Sequence, residues 1–356
     1  MKMMKKQLAL FLCLFFLFGL AACAPSRQAD NSPPPAKITV AATIFPLYDF
    51  TRQVGGERVA VVKVLPAGAE PHSWEPSPKD VAAVFGARLF VFNGAGMEPW
   101  AEKLKGELPR KGIRVVEASA GIASLPGGGH AGEREPAPGR AAGGAPPEKD
   151  PSGHRQDGEK ETGDRPLPAG GEVGEHRHPP GAVDPHVWLD PVLAEAMVKK
   201  IASALIEIDP AGGDYYAGRA EEYCAKLREL DEAYRKALSG FAGRKIIVSH
   251  EAFGYLARRY GLEQIGVMGL APESEPDPRR MKEIIEVCRE HKVKYIFFEA
   301  LVSPRLAEAV AREAGVRTLV LNPIGNLTPE QQAAGAGYLE LMMENLENLK
   351  TALEGK

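Results

Sequence analysis

The stretch Tyr216-Ala217-Gly218-Arg219-Ala220-Glu221-Glu222-Tyr223-Cys224-Ala225-Lys226-Leu227-Arg228-Glu229-Leu230-Asp231-Glu232-Ala233-Tyr234-Arg235-Lys236-Ala237-Leu238 decides the fold. Tyr216, Ala220, Tyr223, Leu227, Leu230, Tyr234 and Leu238 recur at spacings of four and three, the period of a helix with one apolar stripe. Asp209-Pro210 starts this helix, and Gly240 and Gly243 end it. On both sides of it, strands alternate with helices. Before it, strands over 38–42, 59–65, 88–93 and 113–118 alternate with helices over 45–54, 78–85 and 99–107, and a further helix covers 191–206. After it, strands over 245–249, 264–268, 294–299 and 318–321 alternate with helices over 252–260, 278–291, 304–314 and 329–353. The run 59–65, apolar except for Lys63, has the pattern of a strand covered on both faces. Such alternation indicates parallel sheets with crossover helices. The expected fold is α/β: two lobes, each a parallel sheet with flanking helices, joined by one long, rigid backbone helix. The lobes are 37–208 and 241–356, and the joining helix is 209–240.

The chain of 356 residues carries a formal net charge of −3 and shows no basic face, which argues against a nucleic-acid partner. Lys2, Lys5 and Lys6 precede an apolar run over 8–20, the pattern of a secretory signal and too short for a spanning helix. The run ends in Leu20-Ala21-Ala22-Cys23, which resembles a bacterial lipobox. Residues 1–22 are therefore expected to be removed and Cys23 to carry lipid, anchoring the protein to the outer face of a membrane by acyl chains. Residues 23–36, small, polar and proline-rich, form a tether. Cys13 lies in the signal. Cys224 and Cys288 read as small buried side chains, and whether they pair stays open.

From about 126 to 180 the chain is Gly, Pro, Glu, Arg and Lys with almost no large apolar side chain. It cannot bury enough area to offset its ordering entropy and is expected to be disordered. This insertion in the first lobe holds four of the eight histidines, His130, His154, His176 and His178. Auxiliary weak metal sites and a solvated spacer are both consistent with it.

Three other histidines sit where chemistry is expected. His72 follows the second strand, His250 follows the first strand of the second lobe, and His186 emerges from the insertion just before a helix. Ligands of open parallel sheets bind at the carboxyl ends of strands, where loops converge. If the lobes face each other, these three imidazoles meet in the cleft. Three neutral imidazoles suit Zn²⁺, whereas Mn²⁺ prefers oxygen. Trp74 and Trp188 each follow one of these histidines by two residues, as core packing or as a dry wall. Glu299 ends a strand at the cleft and either orients a histidine through its other N–H or forms a structural ion pair.

Gly68-Ala69-Glu70-Pro71-His72-Ser73-Trp74-Glu75-Pro76, Asp184-Pro185-His186-Val187-Trp188-Leu189-Asp190-Pro191, Ser249-His250-Glu251-Ala252-Phe253-Gly254-Tyr255 and Ala271-Pro272-Glu273-Ser274-Glu275-Pro276, with Glu299 and Val302-Ser303-Pro304, carry a resemblance. Together they resemble the zinc/manganese solute-binding lipoproteins of bacterial ABC importers, the cluster A-I family. The resemblance implies a two-lobed fold with the metal between the lobes, and a membrane permease and ATPase as partners of a monomeric binding protein. It favours the zinc branch, because manganese members tend to replace a histidine by a carboxylate where His250 stands here. Family members commonly supply an acid just after the last strand, but Leu321-Asn322-Pro323-Ile324-Gly325-Asn326-Leu327 has none. Water is then the expected fourth ligand, with Glu70 as the other candidate. The competing readings are a manganese importer component, a three-His zinc hydrolase, and a surface adhesin. Against the hydrolase, the chain has no H-E-x-x-H spacing.

Overall fold

Parallel strands cannot be joined by tight turns, so each lobe is built from strand–helix–strand crossovers. The computed structural model describes residues 37–126, 183–270 and 278–355. The signal, Cys23, the tether, His130, His154, His176 and His178 of the insertion, and the Ala271-Pro272-Glu273-Ser274-Glu275-Pro276 motif lie outside the described residues. In the first lobe, β1 (Ile38–Ala42), β2 (Val59–Lys63), β3 (Leu89–Phe92) and β4 (Arg114–Glu117) form a parallel sheet in the order β2-β1-β3-β4. Helices α1 (Phe45–Gly55), α2 (Pro78–Phe85) and α3 (Pro99–Leu104) connect them. The second lobe repeats the order as β6-β5-β7-β8, with β5 (Lys245–Val248), β6 (Glu263–Gly266), β7 (Tyr295–Phe298) and β8 (Arg317–Val320), connected by α6 (Gly254–Tyr260), α7 (Pro278–Glu290) and α8 (Arg305–Ala314).

Between the lobes run α4 (Pro191–Ile208) and, after a short 3-10 turn, α5 (Gly213–Leu238). The apolar stripe of α5 is the buried one, from Tyr216 through Tyr223, Leu227 and Tyr234 to Leu238. It packs on α4 and α1 and on the last helix, α10 (Tyr338–Glu354), within one hydrophobic cluster that draws residues from both lobes. The far face of each sheet has its own smaller cluster, around Phe90, Phe92 and Trp100 in one lobe and Ile247, Ile284 and Val310 in the other. Hydrogen bonds fix both ends of the strut. The Tyr216 hydroxyl and the Arg58 guanidinium donate to Asp209 at its start, and the Tyr234 hydroxyl donates to the Met342 carbonyl at 2.6 Å. Cys224 and Cys288 are buried free thiols.

Two expectations are corrected. The 59–65 run is not a strand covered on both faces. β2 is an edge strand whose Ala60 and Val62 are exposed, while β3 is the strand buried along its whole length. Ala60 and Val62 share one face of the strand, and an apolar run alone does not record whether that face is packed over. The helix expected over 329–353 is two: α9 (Pro329–Ala333), started by a Thr328–Gln331 capping box, and α10. Gly335 between them takes φ 71°, a conformation that ends a helix.

The turn from β3 to α3 buries a carboxyl group. Glu98 is 3% exposed and accepts from the Thr43 hydroxyl and from the N–H groups of Asn93 (2.9 Å) and Gly94 (3.1 Å), tying the ends of β1 and β3 together. Burial pushes its carboxyl up to about 7, against the pull of those bonds. A folded value above the unfolded one means that the native state holds the proton more tightly. The resulting stabilisation is complete below the unfolded value and is lost as pH rises through about 7. Thermal and denaturant unfolding of metal-free protein should therefore show wild type losing stability across this window on the order of 3 kcal/mol more than Glu98→Gln. Parallel pH profiles for the two proteins would contradict this account of Glu98.

Candidate metal centre

The three histidines arrive on three chain segments at the carboxyl ends of the two sheets. His72 lies in a tight turn after β2, where Glu70 Oε2 accepts the N–H groups of His72 (2.7 Å) and Ser73 (3.1 Å). The second lobe holds the same loop from outside. Asn326, wholly buried, donates through Nδ2 to the carbonyls of Pro66 (2.6 Å) and Ala69 (2.9 Å), while its Oδ1 accepts from Lys63 Nζ at 3.1 Å. His186 precedes a single 3-10 turn, Val187–Leu189, and Asp190 caps α4 immediately after it. His250 stands two residues beyond β5, and Glu299 directly follows β7.

The geometry that matters is at the ring nitrogens. Asp184 Oδ1 faces both the backbone N–H (2.9 Å) and Nδ1 (2.8 Å) of His186. Glu299 Oε1 accepts the Ser249 hydroxyl at 2.6 Å and pairs with Nδ1 of His250. A carboxylate partner assigns the proton to Nδ1, so both Nε2 atoms carry lone pairs. These point at one another: His186 Nε2 lies 3.1 Å from His72 Nε2 and 3.4 Å from His250 Nε2. One nitrogen of each ring falls within 4.8 Å of the others. Among the described residues this is the one group of three or more His, Cys, Asp or Glu arranged to hold a metal ion.

Burial shapes the charges. His186 and His250 are each 1% exposed, whereas His72 is half-buried at the rim. Desolvation, reinforced by His250, holds His186 well below the ordinary imidazole value. His250 moves the other way: burial pulls it down, but the charge and hydrogen bond of Glu299, with Glu70 and Asp184, carry it above that value. Burial pushes Asp184 up to about 7, opposed by the His186 N–H and by His250. A dication held among these groups would replace a proton and offset the charge of the two buried acids.

Of the two tryptophans, Trp188 forms the wall. It is fully buried, packs edge-on against His186 with ring centres 5.4 Å apart, and anchors its indole N–H on the Pro323 carbonyl at 2.7 Å. Trp74 instead packs against Trp100 in the first lobe. Glu299 orients His250, and Glu70 shapes the His72 turn. The sequence reading missed Asp184 as a partner of His186. Its signal was an Asp two residues before a His, close enough to reach back to that residue's N–H. It also missed Asn326, which no spacing marks as a contact of the His72 loop.

Residues 40–352 match the family described as ZnuA, zinc-uptake complex component A, periplasmic. The chain is 35% identical over 352 residues to the high-affinity zinc uptake system protein ZnuA of Bacillus subtilis, covering 99% of each. It is 36% identical over 345 residues to the zinc-binding lipoprotein AdcA of Streptococcus pneumoniae, covering 97% of this chain and 60% of that longer protein. Its structure resembles the crystal structure of the Zn(II)-bound ZnuA-like domain of that AdcA, with a TM-score of 0.69, 33% identity, and coverage of 90% of this chain and all of that one.

The ring geometry can be checked without metal. Long-range nitrogen–proton correlation spectra of metal-free protein at alkaline pH should show His186 and His250 as Nδ1–H tautomers. A proton on Nε2 of either ring under those conditions would contradict the assignment.

Proposed function

We propose, from the premise that this chain belongs to the ZnuA family of zinc-uptake components, that it captures Zn²⁺ outside the cytoplasmic membrane and hands it to an ABC permease and its ATPase. The protein is a zinc-binding solute-binding protein, and zinc is its cargo. His72, His186 and His250 hold the ion through their Nε2 atoms. One observation carries this assignment. A tetrahedral ion at 2.0–2.1 Å from each nitrogen sets its ligand atoms about 3.3 Å apart, and the two Nε2 separations at His186 are 3.1 and 3.4 Å. Mn²⁺, which favours more numerous oxygen ligands, fits this donor set less well. The 321–327 stretch offers no carboxylate, and one oxygen of Glu70 is engaged by its own turn. Water completes the fourth position.

Lipid on Cys23 keeps the protein at the outer face of the membrane, near its permease, as a monomer; no helix among the described residues is long and apolar enough to cross a membrane. His130, His154, His176 and His178 act at most as weaker collectors. The role is transport rather than hydrolysis: the two buried acids nearest the rings, Asp184 and Glu299, are spent on Nδ1 atoms, and Glu70 is drawn into its own turn through Oε2.

Zinc titration against a chromophoric chelator should give one tight site per chain. Changing His72, His186 or His250 singly to Ala should weaken it by more than about a hundredfold. Under mixed-metal competition the protein should retain zinc. Preferential retention of manganese, or tight zinc binding by the triple Ala variant, would overturn the proposal, and ester turnover by the zinc-loaded protein would revive the hydrolase.

A further inference from the structure

His186 belongs to the first lobe, yet the carboxylate that aims its ring is seated against the second. Asp184 fixes Nδ1 of His186 through Oδ1. Its other oxygen, Oδ2, rests against Gly254, the first residue of α6 (Gly254–Tyr260) in the second lobe, so closely that a Cβ at position 254 would lie 2.6 Å from it. That separation is well inside van der Waals contact, and Asp184 cannot simply swing away while Oδ1 holds both nitrogens of His186. The next residue completes the seat. Tyr255, 4% exposed, donates its hydroxyl to the Asp184 carbonyl (3.2 Å) and accepts the Leu125 N–H (3.1 Å), while the Asp184 N–H returns to the Leu125 carbonyl (3.0 Å). One buried hydroxyl thus binds both the outgoing chain at Leu125 and the returning chain at Asp184 to the opposite lobe.

Local backbone requirements do not account for the glycine. Gly254 is not among the residues with positive φ, and a helix favours Ala over Gly. The space taken by Asp184 does account for it.

We infer that Gly254 and Tyr255 are positioning residues of the metal site: α6 of the second lobe seats the Asp184 carboxylate and thereby aims His186 of the first. The inference rests on the zinc-site reading above and adds a route for release. Separating the lobes withdraws His250 and, in the same movement, unseats Asp184, so that the His186 ring loses its aim. Two of three ligands are then lost together, and affinity falls more steeply with opening than departure of one ligand would give.

The test uses Gly254→Ala and Tyr255→Phe, each measured for zinc affinity by chelator competition, for the visible spectrum of the Co²⁺-loaded protein, and for thermal unfolding without metal. In Gly254→Ala, zinc affinity should fall about 10–100-fold and the Co²⁺ bands should change, with a lower metal-free unfolding temperature because the added Cβ displaces a held carboxylate. Tyr255→Phe, which keeps the ring, should lose about tenfold in affinity with a shifted Co²⁺ spectrum. Wild-type affinity and an unchanged spectrum in Tyr255→Phe overturn the inference however Gly254→Ala behaves. Failure of the zinc reading looks different: wild type itself then lacks a tight site, and His186→Ala matches it.

Discussion

Three imidazole lone pairs directed at one point repel one another, and much of the surrounding structure serves to hold them there. Asp184 and Glu299 each occupy the Nδ1 side of a buried ring and leave Nε2 facing inward. Burial keeps His186 neutral, while the acids around His250 favour a positive charge beside it. Without metal, a proton on His250 eases the repulsion. With metal, the dication takes the proton's place and offsets the desolvation cost of two buried carboxylates. The site therefore has a strong electrostatic demand for a small cation that accepts nitrogen ligands.

Such a demand is met only if the lobes stay in register. Parallel sheets with the same strand order place their carboxyl ends at the cleft, and α5 joins the lobes through a continuous apolar stripe. Polar stitches cross between them: Asn326 to the His72 loop, Trp188 to Pro323, Arg259 to the Asp190 cap, and Tyr338 to the Trp188 carbonyl. Each neutral bond contributes about 1 kcal/mol net, but leaving one partner buried and unmatched costs more. With so many stitches the lobes favour small relative shifts over wide opening. An ion held by His72, His186 and His250, as proposed, would contact both lobes, and its binding would stabilise the arrangement that brings His250 to the other two rings.

Much of this was legible in the chain. The stripe from Tyr216 to Leu238 and the alternation on either side of it gave the two-lobed fold, because helix period and strand period are local properties. His72, His186 and His250 stood out through their positions at strand ends. What escaped has a common physical cause: it depends on neighbours distant in sequence. β2 reads like a strand covered on both faces, since an apolar run does not record whether one face or two are packed over. Asn326 meets Pro66 and Ala69 across more than 250 positions of sequence, and Gly254 meets Asp184 across the lobes. The break before α10 was in plain view, as Gly335 and Gly337, but the long apolar period around it outweighed them.

The central claim is that three Nε2 atoms from two lobes enclose one zinc ion. X-ray absorption at the zinc edge of the stoichiometrically loaded protein tests it most directly. The account predicts a four-coordinate ion with nitrogen and oxygen neighbours at about 2.0–2.1 Å and the outer-shell scattering of three imidazoles. A spectrum with one imidazole or none, or with a sulfur shell at about 2.3 Å, would contradict it.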